Sequence, residues 1–327
     1  MYTFMNPWKH LTYFQNAEFA QQYLYRLYNE LEVVDASEKS YRNAIPFMYY
    51  LENGETYFQY SKIIPLTLQP ILLFYGLVHL IKACVLTVDP FYPHTTSVLA
   101  HGLSTRKKKK QQYLFLEDEV KIQKNGLFSY ANSIMFHVKH LEGQKLVMQD
   151  LLRQIPELSD TFFTLLGEQT FFTVTQSQQS YVLSKAILDE YHMQPERFRE
   201  YIMGKVGPIL QQIDFNDGQI EFKFSEPHIF KQKELPPFRI NIEQKTPCLS
   251  TSRHFCSYFN EIMVHYSLLY NLSMIARYET EWWNELMKFS PNYDYVFIKS
   301  FLSVSLKKVP YLIAQFLCSK HPFQSNE

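Results

Sequence analysis

The chain has 327 residues, 46% hydrophobic and 17% aromatic, with 32 Lys+Arg set against 32 Asp+Glu. That is enough apolar material for one large domain or two moderate ones, and the zero net charge excludes a global field that would draw the chain onto nucleic acid or an anionic membrane. With 24 Tyr, 27 Phe and only 9 Gly, the balance favours closely packed, mainly helical structure.

The opening MYTFMNPWKHLTYF lacks a charged segment followed by an apolar one, so it does not read as a signal peptide and the expected compartment is the cytoplasm. Asn16 is placed to cap a helix through FAQQYLYRLYNEL, whose apolar stripe is Phe19, Tyr23, Leu24, Leu27 and Leu31. The next stretch, SEKSYRNAIPFMYYLENGETYFQYS, suggests short helical pieces around Tyr49 and Tyr57, separated at Asn53-Gly54. A strongly apolar helix then starts near Pro70 and ends at Asp89-Pro90. Its length approaches that of a membrane span, but His79 and Lys82 sit in mid-segment. A charge at a bilayer centre costs roughly 3 kcal/mol even on the most forgiving scale, so the segment reads as a core helix.

Residues 91–130 read as a long connection with one short helix near Val98 and a short strand pair in QQYLFLEDEVKIQKNGLF. LVMQDLLRQ is helical, Pro156 breaks the pattern, and a second short helix follows. QIEFKFSE and FRINIEQ alternate, which predicts a small antiparallel sheet between residues 170 and 245, interrupted by a helix at PERFREYIMGKV. Helix returns in EIMVHYSLLYNLSMIARY and EWWNELMKF, then in two further pieces over Tyr293–Leu306 and Pro310–Cys318. The expected fold is mainly α, a helical bundle with a small antiparallel β element inserted in the second half. A soft domain boundary near Gly143 divides residues 1–143 from 144–327.

The candidate site starts on the apolar helix. Tyr75, His79 and Lys82 share one face at helical spacing. Burying an unpaired ammonium costs several kcal/mol, so Lys82 needs water, an acid or a bound anion. The segment His101-Gly102-Leu103-Ser104-Thr105-Arg106, with Thr95-Thr96-Ser97 before it, gathers hydroxyls and cations that suit a phosphate cradle, although the phosphate-loop spacing G-x-x-x-x-G-K-[ST] is absent. The bland alternatives are a satisfied core histidine, a snorkelling lysine and a solvated loop. Lys107 to Lys110 extend the positive run but are balanced by Glu117, Asp118 and Glu119, and only Tyr113 and Phe115 stand near for base stacking. Arg277-Tyr278-Glu279, ahead of Trp282-Trp283, reads first as a capped helix end and second as an arginine facing a ligand. Cys84, Cys248, Cys256 and Cys318 form no C-x-x-C pair and no zinc pattern, so neither metal nor cofactor is expected. Neither Ser104 nor Cys84 stands in an activating motif, and no paired carboxylates are set up for acid/base work.

The segments NAEFAQQYL, QPILLFYGLVHLIKACVLTVDPFYP, TTSVLAHGLSTRKKKKQQYLF and LLYNLSMIARYE are similar to the YaaC-like family of Bacillus-type bacterial proteins, over nearly the whole chain. That resemblance implies a bacterial cytoplasmic protein and carries no activity onto individual residues. A partial resemblance links FYGLVHLIKACVL to the aromatic-rich helix of HEPN-type domains, some of which bind or cleave RNA. Their nucleases place four to six residues between an Arg and the His that follows it, a spacing this chain lacks. The sequence therefore points to a non-catalytic binding or regulatory protein for an anionic ligand, either a nucleotide-like molecule or an acidic protein surface. The expected site is Tyr75, His79, Lys82, His101, Ser104, Thr105 and Arg106. The alternatives are a HEPN-like RNA-binding protein or ribonuclease and a pure protein-interaction scaffold; no membrane partner is expected.

Overall fold

The computed structural model describes residues 6–105, 113–177, 180–226, 229–232, 235–253, 259–289 and 292–320. In chain order the helices are α1 (Pro7–Tyr13), α2 (Ala17–Glu30), α3 (Ala36–Ser61), α4 (Gln69–Leu86), α5 (Leu127–Phe136), α6 (Met148–Leu152), α7 (Ser159–Leu166), α8 (Ile187–Tyr191), α9 (Pro195–Val206), α10 (Ile229–Gln232), α11 (Glu261–Tyr278), α12 (Thr280–Phe289) and α13 (Asp294–Lys320). The strands are β1 (Leu103–Thr105), β2 (Glu119–Ile122), β3 (Lys145–Val147), β4 (Phe171–Thr173), β5 (Thr175–Ser177), β6 (Ser180–Ser184), β7 (Leu210–Asn216), β8 (Gln219–Phe224), β9 (Arg239–Asn241) and β10 (Thr246–Ser250). The fold is mainly α with small antiparallel sheets.

Two compact units divide the chain: a helical unit of Tyr2–Leu152 and Asn260–Glu327, and a sheet-bearing unit whose continuous part is Arg153–Phe259. The sequence reading set one boundary near Gly143 and assigned everything after it to a second domain. Instead α11 and α13 pack against α4, so the chain's last helices belong with its first.

In the helical unit, Asn16 caps α2 by accepting from the Phe19 N–H at 2.9 Å. The buried face of α2 ends in two tyrosines whose hydroxyls donate to main-chain carbonyls, Tyr23 to Leu317 and Tyr28 to Leu86, each at 2.9 Å. Helices α4, α11 and α13 are buried on nearly all sides, as helices apolar all round must be. Both α4 and α13 are long and apolar enough to cross a membrane, and most of each is buried inside the protein. Between α11 and α13 lies a closed polar lock. Lys308 Nζ stands 3.2 Å from Glu261 Oε1 with both side chains at most 1% exposed, and His265 Nδ1 meets Ser305 Oγ at 2.8 Å.

Two helices run through expected breaks. Pro310, expected to start a new helix, lies inside α13. An interior proline costs about 3 kcal/mol, but Phe301, Leu302, Val309, Leu312 and Ile313 around it are all buried, and each such side chain contributes about 1.5–3 kcal/mol. Likewise α3 passes Pro46 and Asn53-Gly54 without interruption, held by buried Phe47, Leu51 and Phe58. Gly54 does not end the helix; it lets α4 come close. A Cβ there would meet Leu80 Cδ2 at 2.6 Å, and one on Gly76 of α4 would meet Phe58 Cδ2 at 2.8 Å.

The small sheet β1-β2-β3 is antiparallel, with Ser104 opposite Lys121 and Thr105 opposite Val120. Asp118, buried before β2, accepts from Tyr113 Oη at 2.6 Å and Asn271 Nδ2 at 2.9 Å, which ties this segment to α11. The sheet-bearing unit has two antiparallel sheets, β4-β10-β9 and β5-β6-β8-β7. In β8 the buried Ile220, Phe222 and Phe224 alternate with more exposed neighbours, the period-2 pattern of a strand with one covered face. Buried Arg239 binds the Gln154 carbonyl and, at 3.0 Å, that of Phe259.

Candidate functional site

Three helices of the helical unit each place two polar or aromatic residues seven positions apart on one face: Tyr50 and Tyr57 on α3, Tyr75 and Lys82 on α4, Tyr270 and Arg277 on α11. Seven residues make almost two helical turns, so each pair lines up along its axis, about 10 Å apart. His79 of α4 sits between Tyr75 and Lys82. Its ring stacks on Tyr57 at 5.6 Å between centroids with a 19° interplanar angle, and lies 6.0 Å from Tyr50. The close approach at Gly54 and Gly76 brings these rings together, because larger residues would hold α3 away from α4.

His101 closes the site from the connection after α4. Its ring lies 4.9 Å from Phe74, 5.9 Å from Tyr75 and 5.9 Å from Tyr270. Its carbonyl accepts from Tyr266 Oη at 2.8 Å and from the Phe128 N–H at 3.2 Å. The turn after it requires glycine twice: Gly102 has φ +81°, and a Cβ on Gly126 would lie 2.4 Å from the Gly102 Cα. Arg277 reaches in from the end of α11. Its NH1 donates to Tyr75 Oη at 3.2 Å, while Nε donates to the Ser273 carbonyl at 3.0 Å. The guanidinium thus holds a carbonyl of its own helix and at the same time reaches Tyr75 of the stripe.

The electrostatics are one-sided. Lys82 is half-buried with its Nζ 5.7 Å from the Tyr50 ring centroid, and burial lowers its pKa. Burial, and then the Lys82 charge, lowers the His79 pKa below the ordinary 6.5; burial, then Arg277, then Lys82, does the same to His101. Among the described residues no carboxylate pairs with Lys82 or Arg277, and the buried His79 Nδ1 has no hydrogen-bond partner. The sheet-bearing unit offers a contrast. A surface hollow of about 460 Å³ there is bordered by Arg153, but Glu168 takes that guanidinium through Nε at 2.9 Å and NH2 at 3.1 Å.

Of the seven residues expected from sequence, Tyr75, His79, Lys82 and His101 come together. Ser104 and Thr105 lie beyond, in strand β1. The Ser104 hydroxyl accepts from Gln123 Nε2 at 2.6 Å, and among the described residues no hydrogen bond or ring contact joins either residue to the stripe. The segment is laddered to β2 where a phosphate-cradling loop was expected. Arg106 lies outside the described residues, as do Lys107 to Lys110. Sequence reasoning missed Tyr50, Tyr57 and Tyr270. The seven-residue spacing of Tyr50 and Tyr57 would have revealed the first two had Asn53-Gly54 not been taken as a break.

A family model described as YaaC-like Protein matches residues 12–317, and the chain belongs to that family. Neither the curated proteins nor the solved structures gave a match.

Proposed function

We propose that this member of the YaaC-like family is a non-catalytic binding or regulatory protein of the cytoplasm that takes an anionic ligand at the face shared by α3, α4 and α11. One observation carries the reading: Lys82 and Arg277 stand along one face with His79 and His101 between them, and neither cation has a carboxylate partner among the described residues. Gathering like charges at a half-buried place is unfavourable in the free protein and becomes favourable when an anion arrives. Aromatic rings on three sides suit a ligand with a flat apolar body beside its charge. The free thiols of Cys84, Cys248 and Cys318 fit a reducing compartment.

Calorimetric titration of the full chain at low ionic strength tests the reading, with inorganic phosphate, citrate and an adenine mononucleotide as probes. Binding of at least one is expected, weakened about tenfold or more in Lys82→Met and in Arg277→Met, since a hydrogen bond to a charged group contributes about 1.5–3 kcal/mol. Wild-type protein that binds none of them, or variants that bind as wild type does, would show that the cluster is no anion site.

A further inference from the structure

Near the C-terminal end of α4, Lys82, His79 and Tyr92 gather around Tyr50, four side chains able to donate hydrogen bonds with no carboxylate among them. Lys82 and His79 lie at 5.7 Å and 6.0 Å from the Tyr50 ring. The fourth is Tyr92, in the turn after α4. Its ring stacks on Tyr130 at 5.8 Å, it is 6% exposed, and burial first and then the Tyr50 charge raise its pKa. Among the described residues, no hydrogen bond is made by the buried Tyr92 hydroxyl or His79 Nδ1, nor by the Tyr50 hydroxyl or the Lys82 ammonium. The nearest carboxylate in sequence, Asp89, is engaged by Tyr130 and by His94 at 2.9 Å.

Buried hydroxyls almost always find a partner, and one left without it carries its full desolvation penalty. Two buried orphan atoms mark a place prepared for a polar ligand, and the half-buried Lys82 ammonium, which can only donate, makes an anion its best occupant. Resting on the anion-binding reading above, we infer that the ligand's charged end is the phosphate monoester of a small molecule, seated between Lys82, His79, Tyr50 and Tyr92. A phosphate monoester brings three terminal oxygens and nearly two negative charges at neutral pH, enough for four donors from different directions. A carboxylate brings two coplanar oxygens and one charge. From this end, the rings of Tyr57 and Tyr75 run along the site toward Arg277.

Calorimetry on the full chain with phenyl phosphate and benzoate, which share a ring and differ in the anionic group, tests the assignment. Phenyl phosphate is expected to bind at least about tenfold tighter, and Tyr92→Phe and Tyr50→Phe each to lose about tenfold of that affinity. Tyr92→Phe is also expected to melt no lower than wild type, because its hydroxyl has no partner among the described residues to lose. Equal affinities for the two probes, or unchanged phenyl phosphate binding in both phenylalanine variants, overturns the phosphate assignment while Lys82→Met still reports on the anion site. A phosphoserine peptide that binds more tightly than phenyl phosphate overturns the small-molecule source. Failure of wild type to bind any anion overturns both readings.

Discussion

Alanine at Gly76 tests the contact that assembles the site. The new Cβ would lie 2.8 Å and 2.9 Å from Phe58 Cδ2 and Cε2, and 3.0 Å from Tyr57 Cβ. Carbon atoms rest about 3.5–4.0 Å apart, so the overlap approaches 1 Å. Phe58 is fully buried and cannot swing aside, so α3 must move away from α4. Overpacking of this kind costs about 1–3 kcal/mol, while alanine regains about 1 kcal/mol of helix propensity. We expect Gly76→Ala to lower stability by a net value of about 1–2 kcal/mol, toward the upper end of the difference because the clash includes a main-chain-proximal atom. Gly204 in α9 is the control: nothing lies within 4 Å of its added Cβ, so Gly204→Ala should stabilise by about 0.5–1 kcal/mol. Trp8, Trp282 and Trp283 all lie in the helical unit, so urea unfolding followed by tryptophan fluorescence reports Gly76→Ala directly, and hydrogen exchange of α9 reports the control. A Gly76→Ala protein as stable as wild type would refute the close-approach argument.

Other expectations follow from the charges. Lys82→Met removes a half-buried ammonium that no acid among the described residues compensates, so its urea midpoint should equal or exceed that of wild type; a clear fall would reveal a stabilising partner. His79 and His101 have folded-state pKa values below 6.5, so the unfolded chain binds more protons near that pH. Their contribution is fully present above pH 6.5 and is lost as pH falls below it toward the folded values. Wild type should therefore lose more stability between pH 7.5 and pH 5.5 than the double variant His79→Gln/His101→Gln, and equal losses would contradict the shifts. Lys308→Met removes the ammonium 3.2 Å from the Glu261 carboxylate, at most 1% exposed, and should cost about 3–5 kcal/mol in chemical denaturation; a loss under about 1 kcal/mol would mean the pair is not a buried lock.

Periodicity made the helices legible where one mechanism dominated. The α2 stripe with its Asn16 cap, the all-round apolar α4 and the start of α9 at Pro195 follow from local rules. Pro310 and Asn53-Gly54 misled because local propensity worth a few kcal/mol was outweighed by burial of side chains such as Phe301 and Phe58. The return of α11 and α13 to α4 is a long-range packing choice with no local signature. At the site, Tyr75, His79 and Lys82 stood out as polar residues in an apolar run, and His101 as part of a cationic segment. Arg277 was legible first as a helix-end cation and second as an arginine facing a ligand; its meeting with Tyr75 had no local signature, because it spans 202 positions of sequence. Ser104 and Thr105 misled because hydroxyls near cations suggest a loop, whereas the residues around them pair as strands.

Resolving the imidazole resonances of His79 and His101 in a pH titration, with and without saturating sulfate as a permanent dianion, tests the anion site most directly. The account predicts that both titrate below 6.5 in the free protein, that sulfate raises both values, and that the rise is lost in Lys82→Met. Titration curves that sulfate leaves unmoved at every concentration would contradict it.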